Sequence, residues 1–209
     1  MSDLTAEAEK SRAAKLALRS RLLTARRLLP AAERRTRALQ LQDQTLSFVR
    51  REHPSTIAAY APVGPEPGGP DLPVALLTTG ARVLLPVLRS DNDLDWAEFT
   101  GDLVPGPRGL SEPIGPRLGV EALATVDLIL VPALAVDRSG RRMGRGGGSY
   151  DRALTRASAP AVALLHDDEL LEIVPAEPHD RPVNGVITAR HGFVALPSAG
   201  AWSGRNDLR

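Results

Sequence analysis

VDLILVPALAVDRSGRRMGRGGGSYDRAL, residues 126–154, runs from an apolar strand through a glycine-rich loop into a helix. The apolar run 126–132 ends at Pro132, and a loop carrying Asp137, Gly140, Arg141 and Arg142 follows. Four of the five residues 144–148 are glycine, and a helix is expected to open near Ser149, Tyr150 and Asp151. This order of elements cradles phosphate. Glycine lacks a Cβ, so backbone N–H groups can approach an anion, and the first helical turn adds unpaired donors and the positive end of a dipole. Arg142 and Arg145 add formal charge able to follow a phosphoryl group through its transition state. Neither common nucleotide loop is present. A P-loop ends in Gly-Lys-Ser/Thr, and no lysine follows Lys15; the dinucleotide pattern needs a third glycine where Ser149 stands. The alternative is a mobile surface turn, although turns rarely need so many permissive residues in a row.

Outward from this stretch the same grammar repeats. Residues 56–60, 81–87, 94–99, 160–165 and 184–189 are short apolar runs bounded by Pro, Gly or Asp, which predicts strands. Residues 71–79, 118–124, 150–157 and 167–173 are helical candidates between them. Strands alternating with helices predict an α/β protein with a largely parallel, buried sheet. Two helices are expected to precede it. Leu18, Leu22, Ala25 and Leu29 recur as one apolar seam, Pro30 suits a second helix start, and Ala38, Leu41, Thr45, Phe48 and Val49 form the next seam until His53-Pro54. The expected organisation is one α/β domain over residues 1–196, with the basic helical arm 1–51 packed on it, and a flexible tail over 197–209.

The chain has 209 residues, of which 43% are hydrophobic and 24% charged, enough for a sizeable core and unlike a disordered chain. Absence of cysteine excludes a disulfide scaffold, a thiolate nucleophile, zinc–thiolate sites and iron–sulfur clusters. The charged N-terminus lacks the apolar core of a secretory signal, and the longest apolar stretch, 126–136, contains Asp127 and Pro132. A cytoplasmic protein with no membrane partner is expected. The net charge of +1 conceals twelve basic and five acidic side chains in residues 1–51. A basic arm raises nucleic acid as a partner, but its single aromatic, Phe48, offers almost no stacking platform, so nucleic acid is not expected.

Other candidate groups are sparser. At about 100° per residue Arg12, Lys15, Arg19 and Arg26 share one helix face, where they either meet solvent or lean over a cleft. Glu66, held between Pro65 and Pro67 after the first strand, could accept hydrogen bonds from a polar ring system or be a solvated turn carboxylate. Asp151 and Asp180 are the candidate magnesium ligands, since Mg²⁺ takes one or two carboxylates plus waters and phosphates; a first-turn Asp is also routine helix chemistry. The four histidines, His53, His166, His179 and His191, lack zinc-helix spacing, and no Gly-x-Ser-x-Gly elbow occurs.

Together these residues resemble the 5-formyltetrahydrofolate cyclo-ligases, or 5,10-methenyltetrahydrofolate synthetases. The resemblance runs from about residue 12 to 190. It rests on Lys15 with Arg19, a Tyr60-x-Pro62-x-x-x-Glu66 loop, the Gly-Leu-Ser-Glu-Pro turn at 109–113, Asp-Leu-Ile-Leu-Val-Pro at 127–132, Asp-Arg-x-Gly at 137–140, the run 142–151, and a late aspartate, Asp180.

The resemblance implies ATP-dependent closure of 5-formyltetrahydrofolate to 5,10-methenyltetrahydrofolate, with 5-formyltetrahydrofolate and ATP as partners, Mg²⁺ as cofactor, and a monomer. It implies a three-layer α/β fold similar to the sugar-phosphate isomerase and CoA-transferase group. ATP-binding positions carried over are Lys15, Arg19, Arg142, Met143, Gly144, Arg145, Gly146, Gly147, Gly148, Ser149 and Tyr150, with Arg145 as the catalytic group. Ala61 and Glu66 match folate-contacting positions, and Asp151 and Asp180 the magnesium positions. One departure stands out: the family usually has an aromatic residue where this chain has Ser149. Losing that ring removes contact worth ~1–3 kcal/mol if it packed on ligand, unless the serine caps the helix. Weaker folate affinity, a shifted substrate or a non-catalytic folate-binding relative are the alternatives this leaves open.

Overall fold

The computed structural model describes residues 2–177 and 179–197, with side chains from residue 11 onward. The tail expected from Pro197 therefore lies, beyond that residue, outside the described residues. Helix α1 spans Ser2–Leu28 and α2 spans Ala31–Glu52, divided at Pro30. Helix α2 stops where His53 turns left-handed (φ 49°) ahead of Pro54. The first strands are β1 (Thr56–Ala58), β2 (Arg82–Leu88), β3 (Leu94–Glu98), β4 (Leu103–Pro105), β5 (Ser111–Pro113) and β6 (Leu128–Pro132). Then follow β7 (Ala135–Asp137), β8 (Arg142–Met143), β9 (Ala161–Leu164), β10 (Leu170–Leu171), β11 (Gly185–Thr188) and β12 (Gly192–Ala195). Two short helices, α3 (Leu72–Leu77) and α4 (Ser149–Leu154), complete the set used below.

The central sheet has seven strands in the order β12-β11-β9-β6-β1-β2-β3. Strands β11, β9, β6, β1 and β2 run parallel, and the edge strands β12 and β3 are antiparallel. Every residue of β9 and β11 is buried, the continuous apolar pattern a sheet shows when both faces are covered. Leu41 and Phe48 of α2 and Leu72 and Leu76 of α3 pack one face against Ile57 and Leu130. On the other face Leu123, Ala153 and Trp96 meet Ile129 and Val131.

The strand order positions the site. From β1 the chain builds outward to β2, then returns to place β6 on the opposite flank of β1. Loops leaving the carboxyl ends of β1 and β6 therefore diverge and leave a crevice, where open parallel sheets take ligands.

Three local expectations are corrected. Residues 167–173 form a turn and strand β10, not a helix, because Leu170 and Leu171 pair in parallel with β7 and Glu169 is drawn inward. Residues 120–125 form a tight 3-10 helix after Gly119 at φ 87° in place of an α-helix. The expected apolar seam of α1 docks only in part, through Leu22 and Leu18. Leu22 is buried, but Ala25 is exposed, and the other buried residues of this helix among those described are Lys15 and Arg26. Helix α1 thus seats on ion pairs as well as on the Leu18–Leu22 contacts with Leu134, Met143 and Val174. Arg26 lies 2.6 and 2.7 Å from the two carboxylate oxygens of Glu169 and donates to the Ala133 carbonyl at 2.6 Å.

The loop after β7 is organised by one carboxylate. Asp137 Oδ1 accepts from the Ser139 N–H, the Ser139 hydroxyl and the Arg141 N–H, and Oδ2 accepts from the Val174 N–H. Burial alone would raise its pKa, but the Ser139 hydroxyl and the backbone N–H donors outweigh burial and hold it below the usual carboxylate range. The stability this confers is full above the unfolded-chain value and is lost as pH falls through the lower folded value. Asp137→Asn is expected to lose about 2–3 kcal/mol at neutral pH and to flatten the acid decline below about pH 4. Urea unfolding across a pH series checks this; an unchanged acid slope in the variant would assign the decline elsewhere.

Candidate active site

A cavity of about 450 Å³ opens at the carboxyl ends of β1, β2 and β6, lined there by Ala61, Leu88 and Pro132. Helix α1 covers one side with Lys15, Arg19 and Arg26, and the glycine loop 144–148 forms the next wall. Gly146 (φ 105°) and Gly148 (φ 67°) hold left-handed backbone that side-chain-bearing residues seldom adopt. The Arg19 guanidinium donates to the Gly144 carbonyl at 3.1 Å, tying helix to loop. Met143 is buried and anchors the start of the loop against Leu22 and Leu134.

Helix α4 begins at Ser149, and its N-cap is Gly148, without a side-chain capping bond. The capping reading of Ser149 is thereby set aside; the residue lines the cavity instead, as Gly147 and Tyr150 do. The Tyr150 hydroxyl and Arg142 Nε are buried with no partner among the described residues. Such orphaned polar atoms are expensive unless a ligand meets them. Burial, then the Glu66 charge, pushes the Tyr150 phenol far above its usual pKa, so it remains a neutral donor.

The carboxylates are all engaged. Arg142 Nη2 pairs with Asp151 Oδ1 at 2.7 Å, and the Arg181 N–H donates to the same oxygen at 3.1 Å. Lys15 Nζ meets Asp180 at 2.5 Å and Glu177 at 2.9 Å. Lys15 lowers the Glu177 pKa, as its principal cause, against a smaller opposing effect of burial. Glu66 Oε2 accepts the Val63 N–H at 2.8 Å within its own loop, and its other oxygen lies 3.4 Å from Arg145 Nη1. His166 Nε2 reaches the Pro65 carbonyl at 3.3 Å, which places a proton on Nε2; burial, opposed by Glu169, pushes its pKa down.

Arg12 of the basic helix face does not line this cavity and instead pairs with Glu177 at 3.3 Å, whereas the site residues carried over by the resemblance all border it. Within it, Asp180 clusters with Glu177 and His179, whose ligand atoms lie within 4.8 Å of one another, whereas Asp151 stands outside that cluster. Oxygen donors dominate this wall, which suits a hard cation such as Mg²⁺. Glu177 was missed by spacing, although it shares the segment 175–182 with Asp180. Helix α1 and the 175–182 segment meet only through folding.

A sequence model of the 5-formyltetrahydrofolate cyclo-ligase family matches residues 11–189. The chain belongs to the 5-formyltetrahydrofolate cyclo-ligase family. It is 48% identical over 187 residues to a 5-formyltetrahydrofolate cyclo-ligase of Mycolicibacterium smegmatis, covering 86% of this chain and 95% of that one. Its fold is similar to the NMR structure of Aquifex aeolicus 5,10-methenyltetrahydrofolate synthetase, with a TM-score of 0.71, 25% identity, and 93% of this chain and 99% of that one covered. It is also similar to a Mycoplasma pneumoniae 5,10-methenyltetrahydrofolate synthetase, with a TM-score of 0.67, 21% identity, and 84% and 98% covered. Among the described residues of this cyclo-ligase family member, no helix is long and apolar enough to cross a membrane.

Proposed function

We propose that residues 1–196 act as one α/β domain that uses ATP to close 5-formyltetrahydrofolate to 5,10-methenyltetrahydrofolate, releasing ADP and phosphate. The observation that carries this reading is the meeting of two loops in one cavity. The phosphate-suited loop 144–148 and the Glu66 loop face each other, joined by the Arg145–Glu66 pair at 3.4 Å. A phosphoryl donor and a polar ring system can therefore lie side by side.

In this reading the formyl oxygen takes the γ-phosphoryl as the bond to the β-phosphate breaks and ADP leaves. Folate N10 then attacks the activated carbon, the carbon–oxygen bond breaks, and phosphate departs as N10 loses its proton. Such chemistry needs positioning and charge neutralisation more than a protein nucleophile. Lys15 and Arg19 bind the triphosphate, the backbone of the glycine loop cradles it, and Arg145 stabilises the transferring group. Glu66 accepts hydrogen bonds from the pterin, and Ala61 shapes the wall beside it. Asp151 and Asp180 would hold a magnesium ion, which when bound neutralises phosphate charge.

The test follows the absorbance of the methenyl product with purified protein, 5-formyltetrahydrofolate and MgATP. A rise that requires both ATP and metal supports the reading, and a folded protein that binds ATP yet gives no rise sinks it. Ser149→Tyr is expected to tighten folate binding by ~1–3 kcal/mol, since an aromatic ring there restores apolar contact. Equilibrium titration checks it, and no gain shows that position 149 does not face folate.

A further inference from the structure

Among the described residues six Lys and Arg side chains line the cavity: Lys15, Arg19, Arg26, Arg108, Arg142 and Arg145. Five of them have acceptors within the protein. Lys15 meets Glu177 and Asp180, Arg19 the Gly144 carbonyl, Arg26 Glu169, Arg142 Asp151, and Arg145 Glu66. Arg108 is the exception: among the described residues no hydrogen bond or ion pair engages it.

Its placement is specific. Arg108 sits at the tip of the β4–β5 hairpin with a left-handed backbone (φ 57°, ψ 26°), a conformation that carries strain in any residue with a Cβ and tends to persist at functional positions. The hairpin itself is fixed, because Glu112 of β5 accepts the Leu88 N–H of β2 at 2.9 Å. Pro86, Leu88, Leu94 and Leu110 line the cavity with Arg108, and the Glu112 carboxylate, held by the Leu88 N–H, is not among the described residues that line it. An apolar wall ending in an unpartnered guanidinium suits a flat aromatic group that carries a carboxylate.

Resting on the cyclo-ligase reading, we propose that Arg108 recognises a carboxylate of the folate's glutamate tail, with the aminobenzoyl ring lying on the Pro86–Leu88–Leu94–Leu110 wall. Arg108 is then a specificity-determining residue carried by the β4–β5 hairpin, a different element from the phosphate loop. Substrates with more glutamates offer more carboxylates to it and bind more tightly.

The experiment compares wild type with Arg108→Gln and Arg108→Lys, using 5-formyltetrahydrofolate, its triglutamate, and the glutamate-free 5-formyltetrahydropteroate. Arg108→Gln is expected to raise KM about tenfold for the two glutamylated substrates at unchanged kcat. KM for the glutamate-free substrate and for ATP stays as in wild type, and Arg108→Lys recovers part of the loss. An equal rise for the glutamate-free substrate makes Arg108 a structural prop of the hairpin. A rise in KM for ATP alone makes it a phosphate contact. Either result overturns the assignment, as does no change at all. Calorimetry with p-aminobenzoyl-triglutamate separates this from the parent reading. If wild type turns over no folate yet binds this fragment about tenfold better than Arg108→Gln, the cyclo-ligase reading fails and the tail site stands. Equal binding by both proteins removes the tail site whatever the turnover.

Discussion

Arg145→Ala is expected to lower kcat by about 10²–10³-fold while changing folate affinity far less. The magnitude follows from removing one preorganised charge aimed at a group whose negative charge redistributes in the transition state. The structure explains why the ground state suffers little. The Arg145 side chain is 48% exposed and has one partner, Glu66, at 3.4 Å. With Glu66 10% exposed, the pair is long and open to water on the arginine side only; it is worth about 1 kcal/mol, so folding stability is expected to hold. Without the guanidinium, the Glu66 carboxylate keeps its Val63 N–H contact, which leaves its proposed role toward the pterin in place. Single-turnover measurement of ADP formation, set beside equilibrium folate titration, checks the split. Equal losses in kcat and affinity would remove Arg145 from the transition state and make it a binding residue.

Arg26→Met is expected to destabilise the protein by about 3–5 kcal/mol, because it leaves the Glu169 charge buried without its partner. Both side chains are only 3% exposed, so water cannot substitute for the lost guanidinium. In a chain of this size that corresponds to a Tm lower by roughly 6–20 °C. Activity falls with it, since Arg26 ties α1 to the Ala133 carbonyl beside β6 and α1 carries Lys15 and Arg19. Arg26→Met with Glu169→Gln is expected to recover at least half of the loss. The amide oxygen of Gln still accepts the His166 N–H that Glu169 now takes at 2.8 Å, and no bare charge remains. Thermal unfolding of both variants decides the point. If the double variant is no more stable than the single one, lost packing and not the stranded charge is the cause.

The sheet's parallel strands were legible because each is short, apolar and bounded by Pro, Gly or Asp, a signal that sits within a few residues. Strand β12, the β4–β5 hairpin and the two-residue strands β8 and β10 were not read. They are too short or too polar for periodicity, and they exist because a neighbour offers an edge to pair with. The glycine loop was legible for the same local reason as the main strands: four glycines in five residues have few structural uses. The same arithmetic was half right for α1, whose Leu18 and Leu22 pack while Ala25 is exposed. A seam of Leu18, Leu22, Ala25 and Leu29 has helical spacing, yet spacing does not say which face meets the protein and which meets water.

From sequence alone came the α/β class, the positions of the main strands along the chain, the glycine-rich loop and the family, since contiguous hydrophobicity, glycine content and motif order are properties of neighbouring residues. Tertiary structure alone decided the pairings that make the site. Lys15 finds Glu177 across 162 residues and Arg26 finds Glu169 across 143, and no spacing rule reaches that far. Only the folded chain shows that five of the cavity's cations are internally paired and that, among the described residues, Arg108 is not. A charge acquires its role from what desolvates it and what it meets, and both are supplied by segments distant along the chain.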